Sequence, residues 1–199
     1  MTVLGITGGS GVGKTTLLSR VAARGGVVVD CDAVYHRLLK EDSALLAALE
    51  ARFPGVTEGG ALNRKKLGKL VFDDPNALAA LEAITHPRVT AEAKRLLDQA
   101  GYRPLAALDA VALVESGLGA LCDITVAVTA PLEARIRRLI QREGISEDYA
   151  RLRIAAQKPD GAFSALCGYT LYNDCPDTGT FAAKCDQFLN KILEDDTHD

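Results

Sequence analysis

No CxxC pair occurs among the five cysteines of this chain, Cys31, Cys122, Cys167, Cys175 and Cys185. With an odd count and no metal-ligand spacing, neither a zinc site nor a disulfide framework is expected, and the thiols read as reduced ones in a reducing compartment. An excess of positive charge is missing too: 23 Lys and Arg face 26 Asp and Glu, a formal net charge of −3. That balance removes the electrostatic footprint of a nucleic-acid binder, or of a protein that docks on an anionic membrane. There is no apolar run of membrane-spanning length, no internal repeat and no low-complexity linker. The first apolar segment, residues 3–7, is too short for the core of a secretory leader and lacks a basic flank, so the expected compartment is the cytoplasm. What remains is ordinary globular material. Its 48% hydrophobic and 25% charged residues, over 199 positions, suffice for one domain with a sizeable core.

Residues 3–7 (Val-Leu-Gly-Ile-Thr) are a continuous apolar run that predicts a buried parallel strand. Leu17, Leu18 and Val21 stand at helical spacing within 15–23, and Gly25-Gly26 supplies a stop. Val27-Val28-Val29-Asp30 then predicts a second buried strand. A strand, loop, helix and strand in that order build a right-handed parallel sheet. Helices are predicted over 33–40 and 43–52, a glycine-bearing loop over 54–61, and a basic helix from the N-cap Asn63 to Phe72. Pro75 opens another helix over 76–84, which His86-Pro87 is expected to break before 87–99 turns helical again. A plain crossover needs only about a dozen residues, so the surplus predicts an inserted substrate-binding subdomain. Strands return at 105–108 and 124–128. They are followed by helices over 131–143 and from Ser146 to about Gln157, a break at 158–161, a short strand at 169–172 and a closing helix over 178–193. The acidic tail, 194–199, is expected to fray.

One motif carries chemistry. Gly8-Gly9-Ser10-Gly11-Val12-Gly13-Lys14-Thr15 satisfies G-x-x-x-x-G-K-[ST] at every fixed position, between a predicted strand and a predicted helix. Glycines let the backbone wrap closely and turn its N–H groups toward phosphate oxygens, and the positive end of the helix dipole faces the same anion. Lys14 is placed to reach the β- and γ-phosphates of ATP, and Thr15 to offer a hydroxyl to Mg²⁺. Asp32 lies just past the second strand, at the edge where α/β sheets hold their ligands. It reads either as the base that accepts a hydroxyl proton or as the N-cap of the helix that follows. Asp30 reads as a strand-end residue. Asp109 ends an apolar strand, as a Mg²⁺-organising carboxylate would. Arg138 and Arg142 stand four apart, hence on one helical face, suited to a lid that clamps transferring charge; pairing with Glu133 and Glu143 on a solvated face is the alternative.

P-loops serve GTPases, motors and kinases alike. The guanine-reading N-K-x-D is missing, since Asn190-Lys191-Ile192-Leu193 lacks the aspartate, and the chain is short for a motor. A small-molecule kinase is the expected class, and a nucleotide-binding regulatory module without catalysis is the alternative. Beyond the P-loop, Val29-Asp30-Cys31-Asp32, Arg64-Lys65-Lys66-Leu67, Val71-Phe72, Leu81-Glu82-Ala83-Ile84, His86-Pro87, Leu113-Val114-Glu115, Arg138-Leu139, Arg142, Gln157 and Asn173 follow in order. In their order and spacing the chain resembles dephospho-coenzyme A kinases from Gly5 through Asn173. It departs at Asn63, Val111-Ala112-Leu113, Arg135, residues 158–161 and Cys167-Gly168. The resemblance implies a three-layer α/β/α P-loop fold with a five-stranded parallel sheet. Its core would be about 1–35, 104–130 and 168–194, with a helical acceptor-binding insertion at about 36–103 and a helical lid at about 131–167. It also implies phosphorylation of the ribose 3′-hydroxyl of dephospho-coenzyme A with ATP and Mg²⁺, by a monomer or small homo-oligomer. On that reading Asp32 is the base, aided by Lys14, Arg138 and Arg142. Residues 8–16 (Gly8 through Thr16) and Asn173 hold the nucleotide, and Thr7, Asp32, Arg64, His86 and Glu115 serve the acceptor.

Overall fold

The computed structural model describes residues 1–195. In chain order the elements are β1 (Thr2–Thr7), α1 (Lys14–Ala23), β2 (Val27–Asp30), α2 (Cys31–Glu41), α3 (Ser43–Arg52), β3 (Thr57–Glu58), β4 (Ala61–Leu62), α4 (Arg64–Val71) and α5 (Pro75–Gln99). Then come β5 (Leu105–Asp109), a 3₁₀ turn (Leu118–Leu121), β6 (Ile124–Thr129), α6 (Leu132–Glu143), α7 (Glu147–Ala155), α8 (Asp160–Ala165), β7 (Tyr169–Tyr172) and α9 (Thr178–Asp195). Five strands form one parallel sheet in the order β2-β5-β1-β6-β7, with Leu4 paired to Ala107 on one side and Ile124 on the other. β3 and β4 make a separate two-residue hairpin inside what the sequence presents as a plain loop.

Period-two alternation sends side chains of β1 to opposite faces. Leu4 and Ile6 pack with Leu17 and Val21 of α1 and with Phe181, Cys185 and Leu189 of α9. Val3 packs on the other face with Val34 of α2 and with Val89, Ala93 and Leu97 of α5. The result is a three-layer α/β/α sandwich, as expected. A separate core of Leu39, Leu45, Leu49, Phe53, Val56, Leu67, Val71 and Ala77 holds the 31–99 helices together. A small one of Ile136, Leu139, Ala150 and Ile154 joins α6 to α7.

Three expectations are corrected. Pro87 does not break the helix: α5 runs through it unbroken for 25 residues. Proline removes one ladder bond and crowds the carbonyl of Ala83, at about 3 kcal/mol in a helix interior. Ala77, Thr85, Val89, Ala93 and Leu97 nevertheless form one buried stripe on both sides of it, and that packing holds the helix straight through. Residues 158–161 are only half a break, because Asp160 opens α8, which buries Phe163. Asp32 is not a cap; Asp30 is, accepting from the Ala33 N–H at 2.9 Å. At the far end α9 continues through Asp195; the remainder of the acidic tail, 196–199, lies outside the described residues. Among the described residues, no helix is long and apolar enough to cross a membrane, and all five cysteines are free thiols.

Candidate active site

The site lies at the carboxyl ends of β1, β2 and β5, beside the point where the sheet order reverses. After Thr7 the chain turns through Gly8 at φ 138°, where an added Cβ would stand 2.2 Å from the Val128 carbonyl oxygen. Gly13, at φ 110°, is the N-cap of α1 and offers no side chain to it. The first N–H groups of α1 are therefore left for something else. An added Cβ at Gly13 would also strike the Asn173 amide, 2.5 Å away. Both glycines are required by shape as well as by backbone angle.

The outer side of the loop is held by side chains from three other elements. Arg138 donates to the Gly11 and Val12 carbonyls at 3.2 and 3.4 Å and to Asn173 Oδ1 at 3.1 Å. Buried Asn173 donates to the Val12 carbonyl at 2.7 Å. Buried Arg135 donates to the Ser10 carbonyl at 2.9 Å, and the Ser10 N–H donates to Gln157 Oε1 at 2.8 Å. With those outward-facing groups tied down, the inner side of the loop opens on a cavity of about 390 Å³. It is lined by loop residues together with Lys14, Thr15, Asp32, Asp109, Arg138 and Arg142. Lys14 Nζ lies across the loop and donates to the Gly8 carbonyl at 2.9 Å.

Two carboxylates face this cavity in different states. Asp32 is exposed, in the uncapped part of the first turn of α2. Asp109 is largely buried, and its Oδ1 is without a hydrogen-bond partner. Burial pushes the Asp109 pKa up to about 6; the Lys14 ammonium opposes the rise, and Asp30 and Asp32 add to it. An orphaned, buried carboxylate oxygen and the Thr15 hydroxyl, on the walls of one cavity, are hard-oxygen donors of the kind that suits Mg²⁺. No group of three or more His, Cys, Asp and Glu side chains is poised to hold a metal among the described residues.

Two further cavities flank the first. One of about 650 Å³ runs from Gly13 and Thr16 past Arg137, Arg138 and Gln141 to Asn173, Pro176 and Phe181. The other, of about 190 Å³, is more apolar and lies between α2, α5 and the segment after β5; Cys31, Tyr35, Thr85, His86, Val89 and Ala112 line it. Asp32 lines both this cavity and the phosphate-loop cavity, and so stands at their junction.

The other residues singled out from sequence are placed as follows. Thr7 is buried and donates to the Val111 carbonyl at 2.9 Å, tying the end of β1 to the segment after β5. Arg64 lies beside His36, 3.5 Å away, outside the side chains that line the smaller cavity. Glu115 is ion-paired with Lys158 across the gap between the segment after β5 and the α7–α8 linker. Burial works against its ionisation, but hydrogen bonds from Lys158 and its own backbone prevail and hold its pKa below the ordinary value. Arg142 pairs with Glu143, which also takes Arg153. Sequence reasoning gives no role to Gln157, which matches the family pattern, or to Asp160, which lies in a departure from it, because both depend on contacts with Ser10 and Arg135.

A family model for dephospho-CoA kinase matches residues 2–177. A dephospho-CoA kinase of Anaeromyxobacter dehalogenans is 39% identical over 196 residues, covering 95% of this chain and 91% of its own. One from Corynebacterium jeikeium is 41% identical over 160 residues, covering 79% and 82%. A Thermus thermophilus crystal structure superposes with a TM-score of 0.78 at 32% identity, over 98% of this chain and 97% of the other. With the P-loop, the five-stranded parallel sheet and the carboxylates at its edge, these matches lead to one conclusion: the chain belongs to the dephospho-CoA kinase family.

Proposed function

We propose that this kinase transfers the γ-phosphoryl group of ATP to the ribose 3′-hydroxyl of dephospho-coenzyme A, the last step of coenzyme A synthesis, with Asp32 as the general base. The observation that carries the assignment is the position of Asp32, shared by the phosphate-loop cavity and the more apolar cavity beside it. A hydroxyl arriving from the α2–α5 side meets a carboxylate before it meets the phosphate. Asp32 takes the hydroxyl proton as the oxygen attacks the γ-phosphorus; the bond to the β–γ bridging oxygen breaks, and ADP leaves.

Lys14, now resting on the Gly8 carbonyl, turns to the β- and γ-phosphates when they supply a stronger acceptor. Thr15 and Asp109 are the residues that would hold Mg²⁺, which neutralises charge on the phosphates when bound. Arg142 releases Glu143 to reach the transferring group, and Arg138 keeps the loop in shape while facing the same cavity. The larger cavity past Thr16 and Asn173 takes the nucleoside of ATP. The 36–103 block carries the acceptor, with His86 on its wall and Arg64 at its outer edge, and 131–167 is the lid. The cytoplasm is its place of work, in keeping with five unbridged thiols.

Two measurements test this reading. ATP turnover against a panel of hydroxyl acceptors should respond to dephospho-coenzyme A; a response only to another metabolite would reassign the acceptor. Asp32→Asn should keep ATP affinity and lose turnover by about 10²-fold or more. Unchanged turnover would remove Asp32 from the role of base.

A further inference from the structure

Ser10 sits at the tip of the phosphate loop, half-buried, and its N–H, hydroxyl and carbonyl each have a partner. Its N–H donates to Gln157 Oε1 at 2.8 Å, its hydroxyl accepts from Gln157 Nε2 at 2.9 Å, and its carbonyl accepts from Arg135 Nε at 2.9 Å. Arg135, whose guanidinium makes the last bond, is only 4% exposed. Its other two nitrogens are used as well, on Asp160 Oδ1 at 2.8 Å and on Gln157 Oε1 at 3.1 Å. Asp160 in turn accepts from the Ala130 N–H at 3.2 Å, at the end of β6. The neighbouring glycines are shaped to this group. A Cβ on Gly9 would stand 2.3 Å from Arg135 Nη2, and one on Gly11 would stand 2.7 Å from the Arg135 carbonyl oxygen.

Buried arginine is costly unless its fork is fully matched. Here every arm of the fork has an acceptor, and one acceptor is the loop that must hold a triphosphate. None of Arg135, Gln157 and Asp160 lines the phosphate-loop cavity, so none is placed against the nucleotide itself. Arg135 comes from the first turn of α6, and Gln157 and Asp160 from the α7–α8 junction. They are the two feet of the lid, both planted on one residue of the loop.

We infer that Arg135 is a positioning residue for phosphoryl transfer. Together with Gln157 and Asp160 it fixes the Ser10 peptide, so that the amides that follow are already turned inward when ATP arrives, and it anchors both ends of the lid to the loop the lid must close over. Amides held in place beforehand bind an anion without reorganising, and a misplacement of about 1 Å is worth about 10²-fold in rate. The inference rests on the kinase reading above, and goes beyond it in assigning a role to side chains that touch no substrate.

The test separates positioning from bulk stability. ATP and dephospho-coenzyme A affinities are measured by calorimetry, and folding by urea denaturation, for the parent, Arg135→Ala, Arg135→Lys and Gln157→Ala. Arg135→Ala is expected to weaken ATP by about 30-fold or more while leaving dephospho-coenzyme A within about twofold. Arg135→Lys keeps the charge opposite Asp160 but not the planar fork, so it should recover most of the urea midpoint and little of the ATP affinity. Gln157→Ala frees the Ser10 N–H and hydroxyl, leaves the Arg135–Asp160 pair in place, and should cost ATP affinity about tenfold. If Arg135→Ala does not fold, Gln157→Ala decides alone by that criterion. Folded variants that bind ATP within about twofold of the parent would overturn the assignment. A parent that binds no ATP would count against the kinase reading instead.

Discussion

The helices of the 31–99 block and the helix that follows the phosphate loop begin in opposite ways. Asp30, Asp42, Asn63 and Asp74 each turn a side-chain oxygen onto an N–H of the helix they precede. α1 begins at Gly13, with no side chain to do this. The same contrast holds for carboxylates. In the helical block Glu50 accepts from the Gly55 and Thr57 N–H groups and from the Thr57 hydroxyl, and Glu92 is clasped by Arg95 and Arg37. In the core Asp109 keeps an orphaned oxygen. One region satisfies its polar groups locally; the other leaves them open to a ligand. Unpaired groups of this kind are costly to the empty protein and concentrate where function needs them.

The contrast can be broken or sharpened at four places. Gly8→Ala should have the largest effect, since its Cβ has no room beside Val128 and φ 138° strains any L-residue. ATP affinity should fall about 10³-fold, read by titration. Leu49→Ala, in the fully buried core of the helical block, should cost about 3 kcal/mol in urea denaturation but leave ATP affinity within about twofold. A parallel loss of ATP binding would mean that the two regions do not behave separately. Asp109→Asn should stabilise the ligand-free protein. Folded Asp109 holds its proton up to about pH 6 against an ordinary 3.8, so its contribution is greatest in acid and drains away as pH rises between those values. The variant should therefore match the parent near pH 3.5 and exceed it by up to about 3 kcal/mol at pH 7, in EDTA without nucleotide.

Glu92 should show the opposite sign and the smallest size. Hydrogen bonds from Arg95 and Arg37 prevail over its partial burial and hold its pKa down at about 2, against an ordinary 4.5. Its contribution is present above about pH 4.5 and is lost as pH falls toward 2. Both arginines are substantially exposed, so solvent screening keeps the value below about 1 kcal/mol. Glu92→Gln should fall behind the parent by that much at pH 7, with the gap closing in acid.

The phosphate loop, the parallel sheet and most helix starts were legible because each depends on neighbours within a few residues: glycine spacing, β-branched runs, and Asn or Asp before an apolar repeat. Asp30 and Asp32 were both visible, but two residues apart at a strand end either could cap α2. The ladder decides in favour of Asp30 by pairing it with Asp109 in the sheet. Pro87 misled for a complementary reason, because local stiffness predicts a break and only packing from two cores overrides it. Arg135 reads as one more surface arginine of a basic helix. Its burial depends on Ser10 and Asp160, 125 and 25 residues away, which no local pattern encodes.

Cys31 adds a consequence for redox chemistry. Thiols and disulfides in solution exchange sulfur with reactive cysteines under oxidising stress. The Cys31 thiol, at the wall of the smaller cavity, has its pKa pushed up to about 12 by burial and by the neighbouring Asp109, Asp30 and Asp32 carboxylates. That thiol therefore stays protonated at neutral pH, which leaves the wall of the smaller cavity nearly inert to mixed-disulfide formation.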